Sequence, residues 1–265
     1  MSTTRTSRLA IEQLRERLSP PALAIVADVA ELRLMSARQI EALHFPPSAG
    51  VSAASAARQC RRALHRLVAA RVLLRLERRI GGVRAGSAAF IYGLGPVGHR
   101  LAGAPGARPR RFEPALAFVE HQLAVSQLVV DARLAARAGR FELVELQAEP
   151  TCWRTLPGYG RAVLRPDLLL AVANDDLEYR WFIELDRATH HAPAMRRKAR
   201  LYETYYRSGV EQATHEVFPR VLWIVPDAAR AERLHATLAT ASLPRGLMLV
   251  TTTPDALDVL AGSRA

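Results

Sequence analysis

The chain has 265 residues, 49% of them hydrophobic, and a formal net charge of +12. That is length enough for one large domain or two ordinary ones with real cores. The two cysteines, Cys60 and Cys152, fit no metal or redox spacing and read as buried or free thiols, and no run reaches the roughly 18 apolar residues of a membrane span.

The expectation is a soluble, cytoplasmic protein without a membrane partner. The opening residues, MSTTRTSRLAIEQLRERLSPP, interrupt their apolar positions with charges, so a signal peptide is not expected. The charge is uneven. Residues 1–111 carry 19 arginines against 6 acidic residues, whereas residues 112–265 carry 18 basic and 19 acidic ones. A basic module joined to a near-neutral one points to a nucleic-acid anchor followed by something else.

Residues 1–19 read as a helical lead. From Pro20 to Leu34, the residues Leu23, Val26, Ala27, Ala30 and Leu34 recur at helical spacing, and a proline suits the first turn. Ser36 is a candidate N-cap for a short second helix carrying Ile40 and Leu43, which Phe45-Pro46-Pro47 ends. A third helix begins near Ser52 or Ser55. Its apolar side is Ala57, Cys60, Leu64, Leu67 and Val68, and its other side carries Arg58, Arg62 and Arg66, with Arg61 and His65 beside them. Two β-rich runs follow at 72–80 and 88–94, joined by the basic turn GGVRAGS. Three helices followed by a hairpin are the order of a winged helix-turn-helix, in which the third helix enters the major groove of duplex DNA. Arg58, Arg61, Arg62, His65 and Arg66 are the candidate groove contacts, and Arg84 at the hairpin tip a candidate for phosphate or minor groove. The plainer alternative is an amphipathic helix whose arginines face water.

The first domain is expected over residues 18–103 and the second over 112–262, with GAPGARPRR (103–111) as the linker. A long helix is predicted from Pro114 to Ala138, with Gly139 as its C-cap. Strands are predicted at 141–149, 163–173, 178–186, 220–227 and 246–253, with helices from Pro193 to Ser208 and over 228–241. Runs as apolar as LLLAV and VLWIV read as strands buried on both faces, so the sheet is mixed and helix-covered, an α/β domain.

Lys198 is the sole lysine among 37 basic residues. It follows Arg165-Pro166-Asp167, at the head of one apolar run, and Glu184-Leu185-Asp186, at the tail of the next. Positions 184 and 186 share one strand face. If the two runs pair across the loop ANDDLE, Asp167 comes to the same sheet edge. Asp167 and Glu184 are then candidate ligands for Mg2+ or Mn2+, hard cations that take oxygen donors, and Asp186 is a third candidate catalytic acid. Lys198, Tyr202 and Tyr205 share a helix face, from which the lysine would reach the carboxylates and a phosphate. Two plainer readings stay open: a salt-bridge network with Arg165, Arg187 and Arg196, and simple packing for Tyr202, Tyr205 and Tyr206.

RPDLLLAV, WFIELDRATH and RKARLYETYY, in that order after a basic helix-and-hairpin module, resemble the replication-relaxation family of plasmid and mobile-element proteins. FVEHQLAVSQLVVDARL resembles that family's helix between the modules, and the resemblance covers about residues 20 to 230. The second module also resembles the PD-(D/E)xK nuclease superfamily, with its restriction-endonuclease-like sheet. The resemblance implies that Pro166-Asp167 is its PD and Glu184 its second acid. Where the superfamily usually has lysine this sequence has Asp186. Lys198 stands on the following helix, where some relatives carry that lysine. Glu120 is set against the acid that some members carry on the first helix, and His121 beside it reads equally as a buried polar residue.

Two further motifs are set aside. Gly93-Leu94-Gly95-Pro96-Val97-Gly98 spells GxGxxG, but the helix after it stops by Gly103 and no parallel strand with an acidic end follows. His190-His191 lacks a third ligand at useful spacing.

The implied function is that of a protein binding duplex DNA in plasmid or mobile-element replication or transfer, with metal-dependent DNA cleavage or nicking as its chemistry. The alternative is a non-catalytic replication or transcription regulator with a degenerate nuclease fold. A homodimer and other replication or transfer proteins are the partners left open.

Overall fold

The computed structural model describes residues 8–48, 50–80, 89–103, 114–175, 177–188, 191–239, 244 and 246–262. The chain forms two compact units, Met1–Val130 and Asp131–Ala265. Arg84, most of the expected linker and His190 lie outside the described residues.

The first unit runs α1 (Arg8–Arg17), α2 (Pro20–Leu32), β1 (Met35–Ser36), α3 (Ala37–His44), α4 (Ala53–Ala69), β2 (Leu73–Ile80), β3 (Ala89–Leu94) and α5 (Pro96–Leu101), and takes in the first part of α6 (Leu116–Arg137). Helix α2 opens on its prolines and buries Ile25, Val26, Val29 and Leu32. It ends two residues before the expected Leu34, because Arg33 turns to φ 63° and the chain enters β1. Ser36 caps α3 through a reciprocal pair: its hydroxyl accepts from Gln39 N at 3.3 Å, and Gln39 Oε1 accepts from Ser36 N at 2.8 Å. Ser52 caps α4, accepting from Ser55 N at 3.2 Å. The three strands form an antiparallel sheet in the order β1-β3-β2, with Met35 opposite Tyr92 and Leu76 opposite Ile91. Ser126 of α6 donates its hydroxyl to the Leu34 carbonyl at 2.6 Å, and Gln39 donates to Leu123 O at 2.9 Å.

The GxGxxG run has a packing role here. A Cβ at Gly95 would stand 2.3 Å from Arg71 O, and one at Gly98 2.1 Å from Val72 O. Glycine lets the six-residue α5 press against the turn between α4 and β2.

The second unit takes the rest of α6, then β4 (Glu142–Ala148), β5 (Arg154–Thr155), β6 (Val163–Leu164), β7 (Leu168–Asn174), β8 (Leu177–Leu185), α7 (Ala192–Ser208), α8 (Val210–His215), β9 (Arg220–Val225), α9 (Ala228–Leu238), β10 (Met248–Thr252) and α10 (Ala256–Leu260). Its five-stranded sheet has the order β10-β9-β8-β7-β4. Strands β4, β7 and β8 are antiparallel neighbours, whereas β8, β9 and β10 run parallel, α7 and α9 lying between them in the chain. The sheet is therefore mixed, as the apolar runs predict. Leu168 to Val172 and Trp181 to Leu185 are all buried, which sheet strands covered on both faces require. One face packs Leu169, Phe182, Val221 and Trp223 with Tyr202 and Tyr205 of α7 and Leu234 of α9. The other packs Val172 with Ala132 and Phe141, and with Leu257 of α10.

One expected strand divides. The run 163–173 becomes β6, which pairs with β5 in a separate two-stranded sheet, and β7, which begins at Leu168. Pro166 has no N–H for a ladder and restricts the residue before it, so the chain changes sheets at Arg165-Pro166-Asp167. Among the described residues no helix is long and apolar enough to cross a membrane. The longest, α6, is interrupted by Glu120, Asp131, Arg133 and Arg137.

Candidate functional site

Two sites take shape, one in each unit. In the first, α4 buries Ala56, Cys60, Ala63, Leu64 and Leu67. The turn of the helix then leaves Arg58, Arg61, Arg62, His65 and Arg66 exposed. These five line a cleft of about 680 Å³ whose far wall includes Phe45 and Ser19. The candidate groove residues thus share one open concavity of the first unit.

The second site is built on the end of β8. The Leu168–Ile183 register is extended by Asp167, whose N–H donates to Ile183 O at 3.0 Å. Its carboxylate turns back and accepts from Leu185 N at 2.7 Å. The buried Cys152 thiol donates to Pro166 O at 3.1 Å, steadying the corner from which Asp167 projects. Burial pushes that thiol up to about 12, with Glu149 and Asp167 adding to the shift, so it stays protonated.

Glu184 is only 2% exposed. Tyr202 donates to its Oε1 at 2.6 Å, and Lys198 forms an ion pair with its Oε2. Both partners come from one face of α7, a helical turn apart. Burial pushes Glu184 up to about 7; Lys198 opposes that shift and Asp167 reinforces it. Burial pulls Lys198 down, but the Glu184 and Asp167 carboxylates outweigh it, so its shift is upward and it keeps its proton. Tyr202 is raised well above its ordinary value, by burial first and by Glu184 next. The Lys198 side chain is 29% exposed and Asp167 is half-buried, so the cluster around the buried Glu184 has an open side.

Asp167, Glu184 and Lys198 therefore come together. Asp186 goes elsewhere: its Oδ2 accepts from Arg230 Nε of α9 at 2.6 Å, a partner other than the three arginines that sequence proximity offered. Arg165 instead stacks over Trp153 at 4.8 Å. Of the tyrosines, Tyr206 packs edge-on against Phe218 at 5.3 Å. Tyr205 packs too, but donates to buried Glu211 at 2.5 Å, where Arg154 also reaches at 3.3 Å. Tyr202 does more than pack, since its hydroxyl belongs to Glu184. Glu120 and His121 lie on α6 within the first unit.

Sequence reading misses Glu149. It follows the last residue of β4, whose Ala148 pairs with Leu168, and its charge acts on both Lys198 and Cys152. The β4–β7 alignment was the signal that could have found it. Among the described residues no group of three or more His, Cys, Asp or Glu could hold a metal ion. Asp167 and Glu184 are the two carboxylates that act most strongly on the Lys198 ammonium. Two carboxylates completed by water and substrate phosphate suffice for magnesium. Glu184 gives one oxygen to each of its two partners, and a carboxylate has about four acceptor sites.

Fold and sites together define a two-unit protein, with a basic helix face on one unit and an acid–lysine centre around the buried Glu184 in the mixed sheet of the other. A family model described as replication-relaxation matches residues 26–221. The chain belongs to the replication-relaxation family, which connects it with plasmid or mobile-element replication. No curated protein and no solved structure matches it.

Proposed function

We propose that this protein binds duplex DNA in plasmid or mobile-element replication or transfer, and that its first unit is a winged helix-turn-helix. The carrying observation is the face of α4, with four arginines and a histidine exposed along one open cleft. The order α2, α3, α4, β2, β3, with β1 completing the sheet beside β3, supports the same reading. The test is duplex binding by the full chain against salt concentration, for wild type and for the triple substitution Arg58→Ala, Arg61→Ala, Arg62→Ala. Unchanged affinity and salt slope in the triple variant overturn the reading.

A second reading, DNA cleavage by a restriction-endonuclease-like core, is favoured by one observation: the sole lysine meets Glu184 beside Asp167. The order α6, β4, β7, β8, α7, β9 agrees with it. In this reading Asp167 and Glu184 would hold Mg2+ or Mn2+, which when bound activates water and neutralises charge on a phosphate. Tyr202 orients Glu184, and Lys198 presents a compact charge to the phosphate from its open side. Asp186 supports the centre through α9 rather than touching substrate. Metal-dependent nicking of supercoiled plasmid tests the reading, and an inert wild type leaves the DNA-binding function alone.

A further inference from the structure

The short sheet inserted between β4 and β7 has no part in the core strand order, and its loop carries an unusual surface. Residues 154–165 read RTLPGYGRAVLR: three arginines, a tyrosine and no acid. Arg154 pairs with Leu164 and Thr155 with Val163, which makes residues 156–162 the loop of a hairpin. The loop is well tied. Leu156 N donates to Ala162 O at 3.0 Å and Ala162 N to Tyr159 O at 3.1 Å. Leu156 and Leu164 anchor it in the buried core cluster. Gly158 and Gly160 bracket Tyr159 at φ 76° and 61°, the left-handed region that glycine enters without strain. Between them Tyr159 stands 62% exposed. Arg161 and Arg165 are exposed on the same hairpin. The Arg165 guanidinium lies 4.8 Å over the Trp153 ring, and Asp167 follows two residues later.

A ring presented to solvent on an anchored loop, with arginines beside it, is the composition of a base-stacking platform. A base must offer its face to such a ring, which a base stacked inside a duplex does not do. We infer that the 154–165 hairpin binds unpaired DNA beside the acid–lysine centre, Tyr159 stacking on a base while Arg161 and Arg165 meet the backbone phosphates. This rests on the DNA-binding reading and deepens it: α4 takes duplex, and the second unit takes single strand.

The experiment is fluorescence anisotropy with the full chain, using labelled oligo(dT) of about 12 nucleotides and a labelled duplex. All substitutions fall on exposed side chains. Tyr159→Ala is expected to weaken oligo(dT) binding at least about fivefold, and Tyr159→Phe, which keeps the ring, to stay within about twofold of wild type. Arg161→Ala and Arg165→Ala are each expected to lower the single-strand salt slope by about 0.7. Duplex binding is expected to be unchanged in all of them. The inference is overturned if Tyr159→Ala holds oligo(dT) like wild type, if Tyr159→Phe is as weak as Tyr159→Ala, or if the duplex is weakened equally. Wild type that holds duplex but not oligo(dT) sinks this inference alone. Wild type that holds oligo(dT) but not duplex sinks the α4 reading and leaves this one standing.

Discussion

Lys198 and Tyr202 divide the carboxylate of Glu184 between them, the ammonium at Oε2 and the phenol at Oε1. The buried acid is thereby fixed by two groups of one helix, so α7 and β8 are locked at the end of the sheet that Asp167 enters. Burial nevertheless pushes Glu184 up to about 7. In the unfolded chain it ionises near the ordinary carboxylate value. Between those two values the folded state holds the extra proton, so the contribution of Glu184 to stability falls as pH rises through the window. Glu184→Gln has no proton to lose and does not follow that fall. The melting temperature of Glu184→Gln is therefore expected to gain on that of wild type from about pH 4.5 to about pH 7. Thermal melts at several pH values check this, and a gap that stays constant refutes it.

Asp186 and Arg230 make the second ionic clasp, across to α9. The Asp186 side chain is 0% exposed and that of Arg230 13%, so the pair works at low dielectric. Removing one member of a buried pair costs about 3–5 kcal/mol, because a desolvated charge remains. Arg230→Met is expected to destabilise the protein by about that amount, and Asp186→Asn with Arg230→Met to recover part of the loss. Denaturant titrations of the single and double variants measure it. Additive effects would show that the pair is not coupled.

The helices of the first unit are legible because their ends are written locally. Ser36 with Gln39, Ser52 with Ser55, and the prolines of α2 each act within a turn. The strands β7, β8 and β9 are legible as apolar runs, and the meeting of Asp167, Glu184 and Lys198 follows from pairing two of them beside the next helix. What is not legible is non-local. Arg230 lies 44 residues beyond Asp186, and nothing in the sequence marks it among so many arginines. The division of the 163–173 run depends on β5, two residues long, which has no periodicity to read. Helix α8 is only six residues long and follows a left-handed Gly209, where a helix C-cap reads as an ending.

The α4 face carries a quantitative expectation. Each phosphate contact that a duplex-binding protein loses removes roughly one unit from the slope of log affinity against log salt. Arg62 is exposed on the helix face, inside the cleft, so its truncation touches no core residue. Arg62→Ala is expected to weaken duplex binding with a slope lower by about 1 and an unchanged melting temperature. If binding is unchanged, α4 is not the reader and the cations merely face water.

The centre at Glu184 gives the sharpest expectation for chemistry. If the protein cuts DNA, wild type nicks supercoiled plasmid with Mg2+ or Mn2+, and Asp167→Ala does not. Losing one charged stabiliser of a transition state costs about 10²–10³ in rate, so Lys198→Ala is expected to cut at least about 100-fold more slowly. Lys198→Arg separates charge from shape. A guanidinium keeps the charge that pairs with Glu184, but its planar fork does not reproduce a compact ammonium facing a phosphate. Arginine is therefore expected to rescue stability more than rate. Melting temperature and nicking rate, measured on the same three proteins, decide this. If arginine restores cutting fully, any cation at the open side of the cluster serves. If nicking survives Asp167→Ala, the carboxylate beside Glu184 plays no part in it.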